Sequence, residues 1–167
     1  MRRFLLLGAG LLPVLLFGLT NDVAASQDEG EGGITLTTTL RGANEVPAAT
    51  PSDLRGKAKV TINLHTNVLC WDLDYRTSQH VVAAHIHKGA AGTAPPMNIV
   101  FGFFNPPPVP ANTVVNEGCR AGSHALLADI AANPGAYYVN VHTTVHPAGA
   151  GRGQLKKKHG DDGQNDD

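Results

Sequence analysis

The amino-acid sequence predicts an all-β fold, an antiparallel, Greek-key-like β-sandwich or flattened barrel with one short helix. Several short segments are rich in β-branched and aromatic residues and alternate between apolar and polar positions, as half-buried strands do. Glycine and proline, present 19 and 11 times in 167 residues, separate these segments. Only one segment has a helical pattern, and many short strands with almost no helix are typical of a sandwich or barrel.

The first three strands follow from the residue pattern. Residues 34–40 are rich in threonine and aliphatic residues, which predicts a strand that ends at the Asn-Glu-Val-Pro segment, residues 44–47. Residues 57–65 place lysine, threonine and asparagine on one face and aliphatic side chains on the other. The polar residues 65–67 predict a turn into a further strand, residues 68–75, so we expect a hairpin.

The second half of the chain predicts four more strands and the helix. Ser123 precedes an alanine- and leucine-rich segment, where a serine caps a helix by accepting a hydrogen bond from a backbone N–H. The proline-rich residues 105–110 cannot donate ladder hydrogen bonds and predict a connection. The predicted elements are strands over residues 81–87, 97–104, 137–145 and 152–155, and a helix over residues 124–130.

The two ends of the chain differ from the middle in composition. Residues 1–25 have a basic start, an apolar stretch interrupted by glycine and proline, and small residues before the expected cleavage point, the pattern of a secretory signal peptide. Residues 26–33 are acidic and glycine-rich, which predicts a flexible lead-in, and the charged residues 156–167 predict a disordered tail. We therefore expect one exported domain over residues 34–155, with no membrane span in the mature protein.

The two cysteines, Cys70 and Cys119, lie far apart in a chain that we expect to be exported. In an oxidising compartment a long-range disulfide is the natural interpretation. The alternative is a pair of thiolate metal ligands, but neither cysteine has a second one at Cys-x-x-Cys spacing.

Charge and motif content exclude two classes of function. The formal net charge is −1, and the basic residues are scattered apart from residues 156–158, which argues against nucleic acid as a partner. The sequence has no Gly-x-Ser-x-Gly motif and no Ser-His-Asp pattern, which argues against a hydrolase.

Three histidines indicate a metal site. Alternate side chains of a strand share a face, so His85 and His87 project the same way, and His142 lies in another β-rich segment that can supply a third nitrogen. Three imidazoles on a stiff sheet suit copper or zinc. His146 is a candidate fourth ligand, and Asn140, on the same strand face as His142, is a candidate to orient a ligand.

A structural role is the alternative for these histidines, because an imidazole in a sheet often serves as a hydrogen-bonding strut. The remaining histidines lie in predicted turn, loop, helix-start and tail positions, where an exposed side chain is expected. They are His65, His80, His124 and His159.

Four segments resemble the chordin-type (CHRD) domain. They are residues 40–47 (LRGANEVP), 85–92 (HIHKGAAG), 133–143 (NPGAYYVNVHT) and 152–155 (RGQL). In animals this domain is repeated in an extracellular antagonist of growth factors, and bacteria carry single secreted copies, the form that residues 34–155 resemble. The resemblance implies an extracellular β-domain and leaves any protein partner unidentified.

A local likeness to copper/zinc superoxide dismutase is also present. His85 and His87 are similar to the His-x-His pair of copper ligands in that enzyme, and His142 is similar to a later copper ligand. The Gly149–Arg152 segment is similar to the glycine-rich loop whose arginine guides superoxide, so the likeness implies that role for Arg152 if the site is redox-active. The histidine- and aspartate-rich segment of the zinc side has no counterpart, so the likeness extends to a mononuclear site only.

Three functions from different classes remain. The first is an exported β-domain that holds a copper or zinc ion through His85, His87 and His142. The second is a structural, adhesive or protein-binding extracellular module without metal. The third is a copper-dependent, superoxide dismutase-like enzyme, which metal content and catalytic turnover would distinguish from the first. We favour the first over the second, and the second over the third.

Overall fold

The computed structural model describes residues 33–94, 99–104 and 114–158. The predicted signal peptide, nearly all of the predicted lead-in, residues 105–110 and the end of the predicted tail lie outside the described residues. The described strands are β1 (Ile34–Arg41), β2 (Arg55–Asn63), β3 (Val68–Arg76), β4 (Val81–Lys88), β5 (Ile99–Phe104), β6 (Val114–Ala121), β7 (Tyr137–Thr143), β8 (Gly151–Gln154) and β9 (Lys156–Lys157). The helix α1 spans His124–Ala132.

All of the described strands belong to one antiparallel sheet that rolls into a nearly closed barrel. Its order is β5-β4-β7-β8-β1-β2-β3-β6, with β9 beside β1. Trp71 of β3 stacks on Phe103 of β5, with ring centroids 5.1 Å apart, although these strands lie near opposite ends of that order. The all-β prediction is confirmed, and the single rolled sheet corresponds to its barrel alternative. Strands that are neighbours in the sheet but not in the chain, such as β4 and β7, give the Greek-key-like order.

The core lies on the inner face of the barrel. From Leu36 to Leu40, every second residue of β1 is buried there, while Thr39 and Arg41 point outwards and are exposed. Full burial of one such aliphatic side chain contributes about 1.5–3 kcal/mol to the free energy of unfolding. The inner faces of β4 and β7 continue this core with Ile86 and Val141. The regular alternation explains why the sequence predicts these strands correctly.

One region of the barrel is buried on both faces. Every residue of β7 is buried, and so are the outward-facing histidines of β4 and Arg152 of β8. The segment after β4 covers this outer face: Nε2 of Gln154 donates to the carbonyl of Gly89 at 2.8 Å, and the N–H of Gly89 donates to the carbonyl of Ala136 at 2.8 Å. Side chains on the outer face of β4, β7 and β8 are therefore shielded from water.

The predicted helix forms where Ser123 caps it, because the Ser123 hydroxyl accepts a hydrogen bond from the N–H of Leu126 at 3.3 Å. Strand β6 is an element that the sequence analysis did not predict. Its residues include Asn116, Glu117 and Gly118, which give no alternating apolar signal. The prediction of disorder from residue 156 is wrong at its start, since Lys156 and Lys157 form β9 against β1.

Cys70 and Cys119 are directly opposed in the β3–β6 ladder and form a disulfide. The disulfide prediction is confirmed, and the thiolate-ligand alternative is wrong because both sulfurs are used in the bond. Within the described ranges, no helix combines the length and the apolar character that crossing a membrane requires.

Candidate metal centre

Strands β4 and β7 bring three histidines together on the covered outer face. The two strands pair antiparallel, with Ala83 opposite His142 and His85 opposite Asn140. Because side chains alternate along each strand, His85, His87 and His142 all project to the same side. We call these three residues the histidine triad.

The triad is compact enough to hold one ion. The ring centroid of His85 lies 5.6 Å from that of His87 and 5.0 Å from that of His142, and the remaining pair is 5.6 Å apart. One ring nitrogen from each residue lies within 4.8 Å of the other two. Nitrogens bound to one zinc ion at about 2.0–2.1 Å are about 3.3 Å apart in a tetrahedral arrangement, so inward shifts of about 1 Å bring the triad to that spacing.

Hydrogen bonding leaves triad nitrogens available to a metal. The carbonyl of Pro147 lies 3.1 Å from Nδ1 of His142 and can only accept, so Nδ1 carries the proton and the lone pair is on Nε2. Within the part of the chain that the structure describes, that Nε2 is buried without a hydrogen-bond partner, and so are both ring nitrogens of His87. Burying an unpaired polar group costs about 1–3 kcal/mol, and binding of a metal would offset part of this cost. The donor set therefore fits a copper or zinc ion.

Electrostatics keep these imidazoles neutral. Burial, helped by the neighbouring histidines, lowers the pKa of His87 to about 4. Burial and His85 also lower the pKa of His142 to about 4, against the hydrogen bond to Pro147, which acts in the opposite direction. Near neutral pH both rings carry a free lone pair, which is the form that binds a metal.

A stack of three side chains fixes the orientation of His87. Its ring lies on that of Tyr138, with centroids 5.1 Å apart and planes 9° from parallel. The guanidinium carbon of Arg152 lies 4.0 Å from the centroid of the Tyr138 ring. The face of Tyr138 therefore contacts a cation and an imidazole, and such contacts contribute about 0.5–2 kcal/mol each in buried sites.

Arg152 is one of the most deeply buried residues, with 2 % of its surface exposed. Its guanidinium donates to the carbonyl of Ala90 at 3.0 Å and to that of Thr93 at 3.1 Å, and so ties down the segment after β4. The structure thus places Arg152 beside the triad as a packed and hydrogen-bonded group. Guidance of superoxide by this residue stays a prediction.

Asn140 lies between the triad and a carboxyl group that the sequence analysis missed. The Asn140 side chain, 1 % exposed, hydrogen-bonds the buried carboxyl of Glu45. Burial raises the pKa of Glu45 to about 7, although Arg152 and this hydrogen bond lower it. Both groups lie against Gly149, where a Cβ atom would come within 2.8 Å of each of them. The φ of +145° at Gly149 also favours glycine.

Glu45 gave no periodic signal because it lies just after a short 3-10 turn, residues 42–44, and outside any strand. The one indication was its place in the LRGANEVP segment. His146, by contrast, is not brought to the triad: its Nε2 lies 2.9 Å from the carbonyl oxygen of Pro51, and the residue is half-buried. The metal group that the structure assembles contains three histidines, not four, among the described residues.

Comparison with known protein families agrees with this architecture. The family model of the CHRD domain matches residues 36–155. The chain belongs to the CHRD domain family. Significant matches are absent both among curated proteins and among solved structures. The family resemblance predicted from four segments is confirmed, whereas the local likeness to superoxide dismutase gains no support from these comparisons.

Proposed function

We propose that this CHRD domain binds one copper or zinc ion per chain through His85, His87 and His142. The observation that carries the proposal is the pair of buried imidazoles of His87 and His142, whose nitrogens have no partner among the described residues, beside a third histidine on the same face of the sheet. A purely structural histidine would be expected to use its ring nitrogens in hydrogen bonds within the protein.

Three neutral nitrogen ligands favour copper or zinc over magnesium or calcium, which prefer oxygen. A bound ion would supply a Lewis acid, or with copper a one-electron couple. The protein supplies the rest: Pro147 sets the proton on Nδ1 of His142, Tyr138 holds the His87 ring, and the covering segments exclude water. Because three ligands leave a coordination position open, the domain suits metal buffering or delivery, and it permits small-molecule binding at the ion.

We also place the domain outside the cytoplasm. CHRD is an extracellular type of domain, and the Cys70–Cys119 disulfide is of the kind that persists in oxidising compartments. The signal peptide predicted over residues 1–25 agrees with export.

Isothermal titration of the untagged chain from residue 26 onward, freed of metal by chelation, tests the metal proposal. We expect one Cu²⁺ or Zn²⁺ per chain, and at least about 100-fold weaker binding for His87→Ala or His142→Ala, since each removes one of only three protein ligands. His80→Ala is the matched control, because His80 is exposed and outside the triad.

Circular dichroism of each variant verifies that the fold is retained. Equal affinities in the wild type, His87→Ala and the His80→Ala control would refute the metal site. The second candidate, a metal-free structural or protein-binding module, would then account for the triad.

A further inference from the structure

Arg120 brings an exposed positive charge to the edge of the histidine triad. A Cβ atom placed on Gly102 of β5 would lie 3.6 Å from Nη1 of Arg120 and 3.8 Å from Cδ2 of His85. Both side chains therefore lie within 4 Å of one point. Arg120 belongs to β6, so this point lies at the seam where the two end strands of the rolled sheet, β5 and β6, approach each other.

The guanidinium of Arg120 is available to a ligand. Its side chain is exposed, and in the described part of the chain it forms neither a hydrogen bond nor an ion pair. The other arginine beside the triad, Arg152, is buried and donates to two backbone carbonyls. Of these two arginines, Arg120 is therefore the one that a solute can contact.

Gly102 leaves space next to His85. The two residues are directly opposed in the β4–β5 ladder and share a strand face. An added methyl group at Gly102 would make only ordinary van der Waals contacts, so the seam has room for a group of that size between His85 and Arg120. A larger side chain at this position would occupy the space.

We propose that this seam is a small-anion site, in which the Arg120 guanidinium holds an anion beside the open coordination position of the triad. The inference rests on the proposed metal site. Imidazole ligands bring no negative charge to a bound divalent ion, and Arg120 adds a further positive charge, so the seam attracts an anion. The planar N–H donors of arginine suit anions with two or three atoms in a row.

Azide titration of the Cu²⁺-loaded chain, followed by its charge-transfer absorbance, tests this proposal. We expect azide to bind, and Arg120→Gln to weaken binding by about 5- to 10-fold at low salt, the loss expected for one unit charge about 4 Å from the anion in a water-exposed setting. Arg120→Lys should retain part of the affinity. Gly102→Val should weaken azide binding by filling the seam, with copper retained.

Arg76→Gln, which removes another exposed arginine from β3, is the control and should leave azide binding unchanged. Copper content is measured on every variant before azide is added. One copper per chain with no azide response, or with equal azide affinity in wild type and Arg120→Gln, overturns the anion site and leaves the metal site standing. Failure of the wild type to bind copper or zinc overturns both.

Discussion

Glu45 illustrates how far a single side chain can depart from its solution behaviour in this fold. One of its carboxylate oxygens, Oε1, is buried without a hydrogen-bond partner among residues 33–94, 99–104 and 114–158, as is Oδ1 of the adjacent Asn140. Burial disfavours the charged form of Glu45 and Arg152 favours it. The effect of burial is the larger, so the pKa of Glu45 is raised. A raised pKa means that the folded state binds this proton more tightly than the unfolded state does.

Glu45→Gln should therefore change the pH dependence of stability. The proton on Glu45 favours the folded state fully below about pH 4.5, and this contribution is lost as the pH rises through about 7. We expect the two proteins to have similar free energies of unfolding at pH 4.5, and the metal-free variant to be more stable by about 3 kcal/mol at pH 8. Urea unfolding at several pH values measures this, and a constant difference across the range would contradict it.

Sequence reasoning identified the triad but not its environment. The same-face placement of His85 and His87 follows from the two-residue period of a strand and was predictable. Their burial was not, because it arises from segments that fold over the outer face and are linked to Arg152 and Gln154 through backbone carbonyls. Every residue has a backbone carbonyl that can accept a hydrogen bond, so the residue pattern does not predict which carbonyls make these contacts.

At the level of elements, β8 acts mainly as an anchor for the segment after β4. Arg152 and Gln154 alternate along this short strand, and both reach backbone carbonyls of residues 89–93. Because that segment directly follows His87, its position determines how well the triad is covered.

Arg152→Met should release this anchor. It keeps most of the buried volume but removes the hydrogen bonds from Arg152 to the carbonyls of Ala90 and Thr93 and the cation near Glu45. We expect a loss of about 3–5 kcal/mol in the free energy of unfolding, the range for breaking a buried charged network. Hydrogen exchange should show faster exchange for Gly89 and Thr93. Unchanged exchange at these amides, with Gln154→Ala as a comparison, would refute the anchor.

The sequence predicted which segments form strands better than it predicted which strands pair. Strands with clear alternation, such as β2 and β3, were predicted within about two residues of their bounds, and the β2–β3 hairpin is confirmed. The placement of β7 between β4 and β8, which completes the triad, depends on which strands meet when the sheet rolls up. Strand β6 forms because the disulfide and the edge of β3 hold it, although its own residues favour a strand weakly.

For the whole molecule, the disulfide is expected to contribute strongly to stability. Cys70 and Cys119 are 49 residues apart, and closing a loop of this length in the unfolded chain contributes about 4 kcal/mol in the chain-entropy description. The Cys70→Ser, Cys119→Ser double variant should lose about that much in guanidinium unfolding of the metal-free protein. Metal affinity should be retained, since the triad lies on β4 and β7. A loss below 1 kcal/mol would contradict the prediction.

The position of Trp71 gives the barrel an optical reporter. It is the only tryptophan in the chain, its Nε1 donates to Oδ1 of Asn116 at 2.9 Å, and Gly118 leaves the space that its ring fills. Its stacking on Phe103 spans the same seam that Gly102 and Arg120 line. The fluorescence of this single tryptophan therefore reports on the separation of β5 from β6. A red shift of the Trp71 emission would show that the seam has opened to water, and no attached dye is needed. A bound Cu²⁺ ion that accepts excitation energy from Trp71 would quench the same fluorescence.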